Sequence, residues 1–470
     1  MSFAATCYLT LARSLLLALL AWPICQLLER GLRASNRPTL WLVLLASSFL
    51  LPELLIGYLL APYVAGQPWR SEPACAVMLF LRSVPIGVIA LWGMPASSVS
   101  SRAIHLRRLT LRTARDFREW LACYWRGPVR RAMPALGLMF LMTFQEFEAS
   151  ALLGTVSWTD RLFMEHATGL SLGDSSRFLL RPLAIQTAVL LLVGWSLWNR
   201  RPALPEEDSA SEERPVQPAL LRFTQFAAIS SFLVGVVGPL VLLAPGVARG
   251  WDWLIHQTTL WSNLAQEMCT AGLVALVAGM AAWNFARALS SSRFPIALSA
   301  FIGLPGLCGA LTVSLAVLVV AQQPIVVRLY DTPLPWVVAL VIWLLPRAWL
   351  LQLWLSRQTS PTSAHLIRLL RQSPLPIHQR SAKAWQWRWQ VEPQLAACGV
   401  LCYWAYLDVS SAGLLAPTRM PSVIVRLYNF MHFGRSTALS TEAALVMFLP
   451  VACWLVAMSL ARLGQRGWFR

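Results

Sequence analysis

Long apolar blocks separated by short polar stretches set the pattern of this chain. Runs of about 20 mostly apolar residues fall near 9–28, 40–62, 75–95, 135–154 and 178–198, then near 225–244, 266–288, 295–321, 334–355, 394–415 and 440–462. A helix rising about 1.5 Å per residue needs about 20 residues to cross a hydrocarbon core about 30 Å thick. The pattern therefore predicts an all-α polytopic membrane protein with about eleven transmembrane helices. Between Asn199 and Pro218 the chain turns rich in Pro, Ser and acidic residues and lacks aromatic ones, which reads as a flexible linker. The predicted organisation is a first bundle over 1–198, the linker over 199–218, and a second bundle over 219–470.

Composition sharpens this reading. The chain is 57% hydrophobic and 13% charged with a mean hydropathy of +0.57, and soluble domains carry about twice that charged fraction. Little chain remains outside the spans, which excludes a large catalytic head. The net charge of +18 would suggest nucleic acid in a soluble protein, but the arginines lie in loops between spans, so no nucleic-acid partner is expected. If the linker is cytoplasmic, the loops on its side hold 27 of the 39 basic residues and the opposite loops hold 8. The rule that cytoplasmic loops collect Arg and Lys then puts the N-terminus outside and the C-terminus inside. Lys383 is the one lysine, so the positive charge is nearly all guanidinium, which holds lipid phosphates in two-pronged contacts.

Candidate chemistry is sparse. The nine cysteines are scattered, and Cys398 and Cys402 stand one helical turn apart with no His or carboxylate at ligand spacing. No metal site, cofactor or disulfide framework is implied. The phosphate-cradling loop of ATPases, the paired-histidine zinc motif and the serine nucleophile elbow are all missing, so the chain is not read as an enzyme. The first apolar run lacks a basic leader and a small-residue cleavage site, and is expected to be a transmembrane helix rather than a removed signal.

The two bundles repeat. Glu146-Phe-Glu-Ala-Ser-Ala-Leu-Leu-Gly154 lies over Asp408-Val-Ser-Ser-Ala-Gly-Leu-Leu-Ala416 at an offset of 262, and Arg161-Leu162-Phe163 over Arg426-Leu427-Tyr428 after a three-residue slip. Upstream, each half has a Leu-Pro inside one span (Leu51-Pro52, Leu304-Pro305), then a span with a central proline (Pro85, Pro346), then a long basic segment. Both basic segments fall on the cytoplasmic side, so the repeat is expected to be parallel. The run 225–244 has no counterpart in the first half.

A parallel duplication with one long cytoplasmic segment before the penultimate helix of each half resembles the fused two-domain inner-membrane permeases of ABC importers, of the iron(III), thiamine and putrescine type. The best local match is Val425-Arg-Leu-Tyr-Asn-Phe-Met-His-Phe-Gly-Arg435, following Gly413-Leu-Leu-Ala-Pro417. The resemblance places this stretch in an outer loop, with Arg426, Tyr428, Asn429 and Gly434 as its marked residues. The family's cytoplasmic signature is Glu-Ala-Ala, three residues, Gly, nine residues, Ile-x-Leu-Pro. With Pro134 as its proline, Ala122 takes the glycine position and Asp116-Phe117-Arg118 the Glu-Ala-Ala position, so Asp116, Arg118, Glu119, Ala122 and Pro134 mark the expected ATPase-coupling segment. In the second half Pro393 places Ser381 at the glycine and no Glu-Ala-Ala occurs. The resemblance implies two short cytoplasmic helices per segment, ABC ATPase subunits docked beneath them, a periplasmic or extracellular solute-binding protein, and a bacterial inner membrane. Ferric ion is the solute the family most often suggests.

Other readings of the same residues stay open. Charges within spans default to functional candidates, and Glu146, Glu148, Asp408, Arg82 and Arg347 read either as a polar lining of a translocation path or as structural ion pairs. Nine arginines between Arg102 and Arg131, interleaved with Leu106, Leu109, Leu111 and Phe117, fit a coupling segment or a basic helix on anionic lipid. Trp385, Trp387 and Trp389 read as an interface anchor. The alternatives to an ATP-driven permease are an ion-coupled secondary transporter, a permease-derived protein uncoupled from ATP, and an assembly component without transport.

Overall fold

The computed structural model describes residues 2–64, 66–94, 99, 101–169, 171–198, 218–256, 258–290, 302–358, 361–432 and 439–468. Among them the only regular elements are helices and helical turns, grouped in two compact units, Met1–Leu240 and Val241–Arg470. The predicted linker, apart from Pro218, lies outside the described residues, as do 295–301 of one predicted span and Gly434.

The first unit runs α1 (Phe3–Arg33), α2 (Pro38–Ala46), α3 (Glu53–Val64), α4 (Pro68–Gly93), α5 (Ser101–Leu109), α6 (Ala114–Tyr124), α7 (Arg130–Phe144), α8 (Glu148–Leu153), α9 (Trp158–Ala167), α10 (Leu172–Trp198) and α11 (Pro218–Phe232). A π-helical turn over Leu233–Val237 joins α11 to α12 (Gly238–Ile255). The second unit continues with α13 (Thr258–Ser290), α14 (Ala310–Ala321), α15 (Leu334–Gln358), α16 (Pro361–Gln372), α17 (Pro376–Gln386), α18 (Glu392–Tyr406), α19 (Val409–Leu415), α20 (Val423–His432) and α21 (Leu439–Trp468).

Helix α1 illustrates how the sequence makes these elements. The Ser2 hydroxyl accepts the Ala5 N–H at 3.3 Å to start it, and Arg30 and Arg33 occupy its last turn, where the helix dipole favours cations. Its buried stripe, Thr10, Ser14, Leu17, Ala21, Cys25, Leu28 and Leu32, is spaced three or four residues apart and is mostly small. The opposite face exposes Leu9, Leu15, Leu16, Leu19 and Leu20. Large apolar residues outside and small ones inside reverse the order of a soluble helix, as expected when lipid is the solvent and close approach drives association.

Seven helices among the described residues are long and apolar enough to cross a membrane, or nine if each of two bent pairs is one span. The eleven spans read from hydropathy are not reproduced. The predicted span 135–154 stops as a helix at Phe144 and restarts at Glu148, and of the predicted span 295–321 the described part holds only the 12-residue α14 as an α-helix. Both bent pairs break where the sequence supplies a reason: α2 and α3 meet at 63° around Leu51-Pro52, and α18 and α19 at 53° around Asp408.

The order of elements in the second unit repeats that of the first. A π-helical turn at Trp125–Val129 recurs at Trp387–Val391, 262 positions later, preceded each time by two short helices and followed each time by a 15-residue helix. The 10-residue helices α9 and α20 start 265 positions apart. In each unit the long first helix, the proline-containing helix and the helix after the π turn pack together: α1, α4 and α7 in one, α13, α15 and α18 in the other. Helix α11 stands apart from the repeat and packs on α1 and α2, with Thr224 filling the notch at Gly31 and the Ser231 hydroxyl donating to the Leu45 carbonyl at 2.9 Å.

Close packing uses the same chemistry at Gly306. Helix α15 runs on through Pro346, which has no N–H for the carbonyl of Ile342 four residues back. Gly306 fits against that carbonyl: a Cβ there would collide with Ile342 O and lie 2.7 Å from Pro346 Cδ. Because the obstacle is backbone, Gly306→Ala is expected to destabilise by about 1–3 kcal/mol, read as a lower thermal midpoint of the detergent-purified chain. An unchanged midpoint would show that α15 moves away freely.

Candidate functional site

Glu146 and Asp408, paired by the repeat, occupy equivalent breaks. Glu146 sits between α7 and α8, and its Oε1 accepts the backbone N–H of Ala149 at 2.7 Å. Asp408 sits between α18 and α19, and its Oδ2 accepts that of Ser411 at 2.8 Å. Each acid thus satisfies a free N–H at the start of the helix that follows, a need that is acute where no water can serve. Both side chains are buried.

In the first unit the break at Glu146 joins a larger cluster. Arg82 of α4 pairs through Nε with Glu53 Oε1 at 2.8 Å, donates through Nη1 to the Leu51 carbonyl at 3.1 Å, and stands 5.2 Å over the Phe49 ring. Glu148 accepts the Leu54 N–H, in the first turn of α3, at 3.2 Å. The carboxyl groups of Glu53, Glu146 and Glu148 stand close to one another. Two helix breaks, 50–52 and 145–147, therefore face one another with three carboxyl groups and one guanidinium between them.

The α9 start holds this arrangement in place. Trp158, fully buried, donates its indole N–H to the Phe144 carbonyl at 2.7 Å and stacks near the Phe144 ring at 5.6 Å. The Ser157 and Thr159 hydroxyls both donate to the Glu146 carbonyl. The last carbonyls of α7, left without helical partners by the break, are thus met by one short segment.

In the second unit Asp408 lies within electrostatic reach of Arg347, whose Nη1 donates to the Trp343 carbonyl at 2.6 Å. Ser411 also receives the Ser314 hydroxyl at 2.9 Å. Position 410, a buried serine, stands where the first unit has Glu148, so the second cluster lacks the third carboxylate.

The expected coupling segment forms two short helices, α5 and α6, and the equivalent stretch of the second unit forms α16 and α17. Thr113 and Asp116 close a capping box at the start of α6. The Thr113 hydroxyl and the N–H groups of Arg112 and Thr113 hold the exposed Asp116 carboxyl below its usual range. Its contribution to helix stability is thus present above the ordinary carboxylate range and fades as pH falls through the lowered value. Glu119 pairs with Arg107 across the hairpin and with Arg115 at 3.4 Å. Arg118 is exposed and Ala122 half-buried. Pro134 is buried inside α7 rather than ending the segment, because α7 already starts at Arg130.

No protein family, curated protein or solved structure matches the chain.

Of the residues marked by sequence, Arg82, Glu146 and Glu148 come together in one cluster, and Arg347 and Asp408 in another. Glu53 was missed, although an acid beside Leu51-Pro52 inside a span was a readable signal. Arg426, Tyr428 and Asn429, expected in an outer loop, lie in the short helix α20 between α19 and α21, whose Val423, Ile424, Leu427, Tyr428 and Met431 form a buried stripe at helical spacing. Arg426 is bound to Glu267 and Glu442, each at 3.3 Å, while Asn429 is exposed.

Proposed function

We propose that the chain is the membrane-spanning permease subunit of an ABC importer, moving a small solute across a bacterial inner membrane while a separate subunit hydrolyses ATP. One observation carries this reading. In both units a hairpin of two short exposed helices stands between the proline-containing long helix and the helix after the π turn: α5–α6 after α4, and α16–α17 after α15. That is where the resemblance puts the segment that meets the ATPase, with α5–α6 alone keeping residues at its signature positions, and a short helix seated in a groove is a recurrent way to transmit such a motion. The breaks at Glu146 and Asp408 support a polar interior, since irregular backbone within a membrane is tolerated where protein or a cavity surrounds it. A solute-binding protein would deliver its cargo at the face opposite the hairpins, with the N-terminus outside and the C-terminus in the cytoplasm. Ferric ion is one cargo consistent with the resemblance.

Purifying the tagged chain from its native membrane in mild detergent tests this reading. A stoichiometric ATPase subunit is expected alongside it. A folded, monodisperse chain that brings none would overturn the assignment. Phe117 and Arg118 are exposed on α6, so Phe117→Ala with Arg118→Ala should lower solute-stimulated ATP hydrolysis about tenfold, as for loss of a groove anchor. Protein level and thermal midpoint should stay unchanged.

A second reading has one observation in its favour. The close approach of the Glu53 and Glu146 carboxyl groups is one that a shared proton would ease, as an ion-coupled transporter requires. Collapse of the proton gradient with ATP maintained separates the two: ATP-driven uptake persists, ion-coupled uptake stops.

A further inference from the structure

The two hairpins differ in charge, and we propose that the second, α16–α17, lies on the anionic headgroups of the surrounding bilayer. In α5–α6 the arginines are partly answered within the hairpin, Glu119 holding Arg107 and Arg115 while Asp116 is spent on the cap. Residues 361–391 contain no Asp or Glu at all. Arg368, Arg371, Arg380, Lys383 and Arg388 are all exposed, and none makes an ion pair among the described residues. Four such cations on one short hairpin and a fifth in the turn after it repel one another and call for an anionic surface.

The apolar positions define what kind of surface. On α16, Leu366 and Leu369 are one turn apart and 40% and 51% exposed, while Arg368 and Arg371, also one turn apart, lie across the helix from them. Ile377 of α17 is 67% exposed, with Arg380 and Lys383 on the adjoining side. Ile367 and Ala382 are the residues that α16 and α17 bury. Exposed leucines with arginines across the helix on α16, and an exposed isoleucine beside Arg380 and Lys383 on α17, make both helices basic and amphipathic. That mixture fits the headgroup boundary, where apolar side chains enter the acyl region and guanidinium groups clasp phosphate.

The aromatic residues set the depth independently. Trp385 and Trp389 are partly exposed and stack at 5.3 Å across the π turn that leads from α17 into α18. Indole rings settle at the headgroup level, which keeps the adjoining hairpin at the surface. The missing signature in this half is then a consequence, because a hairpin held by lipid has no ATPase groove to fit. This inference needs a membrane-embedded chain but no ATP-driven transport.

The test compares the full chain in nanodiscs of phosphatidylcholine alone and of phosphatidylcholine with phosphatidylglycerol, following chymotrypsin cleavage after Leu366, Leu369 and Trp385 by mass spectrometry. Cleavage is expected to be roughly tenfold slower in the anionic discs, with the difference lost at high salt. Arg368→Gln, Arg371→Gln, Arg380→Gln and Lys383→Gln together should abolish the difference while leaving the thermal midpoint unchanged, since all four side chains are exposed. Should that variant fail to fold, the salt dependence of the unaltered chain decides. Equal cleavage in both discs overturns the proposal, and so does protection that arises in neutral discs only when an ATPase subunit is added. Failure of the pull-down experiment above leaves this result untouched, so the two readings fail separately.

Discussion

Arg82→Ala is expected to cost about 3–5 kcal/mol, the usual penalty for removing one partner of a buried ion pair. Arg82 is 12% exposed and its partner Glu53 18%, with Glu146 and Glu148 close by. Removing the guanidinium leaves three carboxyl groups facing two helix breaks without their cation, and leaves the Leu51 carbonyl without the donor it takes from Arg82. The expected readout is a large fall in the thermal midpoint of the purified chain, followed by its own tryptophan fluorescence. Arg82→Ala with Glu53→Gln should recover a good part of the loss, because the second change removes the uncompensated charge rather than adding a contact. A single variant that melts like the unaltered protein would show that water reaches the cluster and that the pair is held in a far more polar setting than its burial indicates.

Trp158→Ala should be comparably severe, about 3–5 kcal/mol for a fully buried tryptophan. The conservative change Trp158→Phe separates volume from hydrogen bonding. It keeps most of the packing on Phe144 but leaves the Phe144 carbonyl without the indole donor at 2.7 Å, at an expected cost of about 1–3 kcal/mol. Because the same segment holds the Glu146 carbonyl through Ser157 and Thr159, the proposed permease role implies that Trp158→Phe also lowers transport by more than its stability loss explains. Uptake assayed at matched amounts of folded protein checks this. Transport that simply tracks stability would make Trp158 a packing residue and nothing more.

The intramembrane acids show where reading and structure part. Glu146, Glu148 and Asp408 stood out in sequence because charges inside apolar runs are costly, and the repeat paired Glu146 with Asp408. What each does locally was not readable. The role that Glu146 and Asp408 share, accepting an N–H three residues on, depends on a helix break that a hydropathy window averages away. A run of 20 apolar residues looks the same whether the helix is continuous or stops for three residues in the middle, which is also why the count of spans came out at eleven.

Helix α20 makes the same point from the other side. The resemblance put the stretch around Arg426 in an outer loop, and the hydropathy pattern marked no element there. Yet Val423, Ile424, Leu427, Tyr428 and Met431 already show helical spacing, a signal too short for a window tuned to transmembrane lengths. That it buries Arg426 against Glu267 and Glu442, 159 and 16 residues away, belongs to tertiary structure alone.

By itself the sequence determined the solvent, the helical class and the repeat. Each follows from local composition and spacing: long apolar runs demand lipid and helices, and matching Leu-Pro, Pro and Glu or Asp positions recur in order. Tertiary structure decided which charges meet. Arg82 finds Glu53 29 positions upstream, and Glu148 caps a helix 94 residues earlier in the chain. It also decided that α11, beyond the predicted linker, packs in the first unit. Such pairings depend on how helices of similar apolar surface choose neighbours, and in lipid that choice rests on small notches such as Gly31 and Gly306 and on a few buried polar groups rather than on hydrophobicity, which every helix shares.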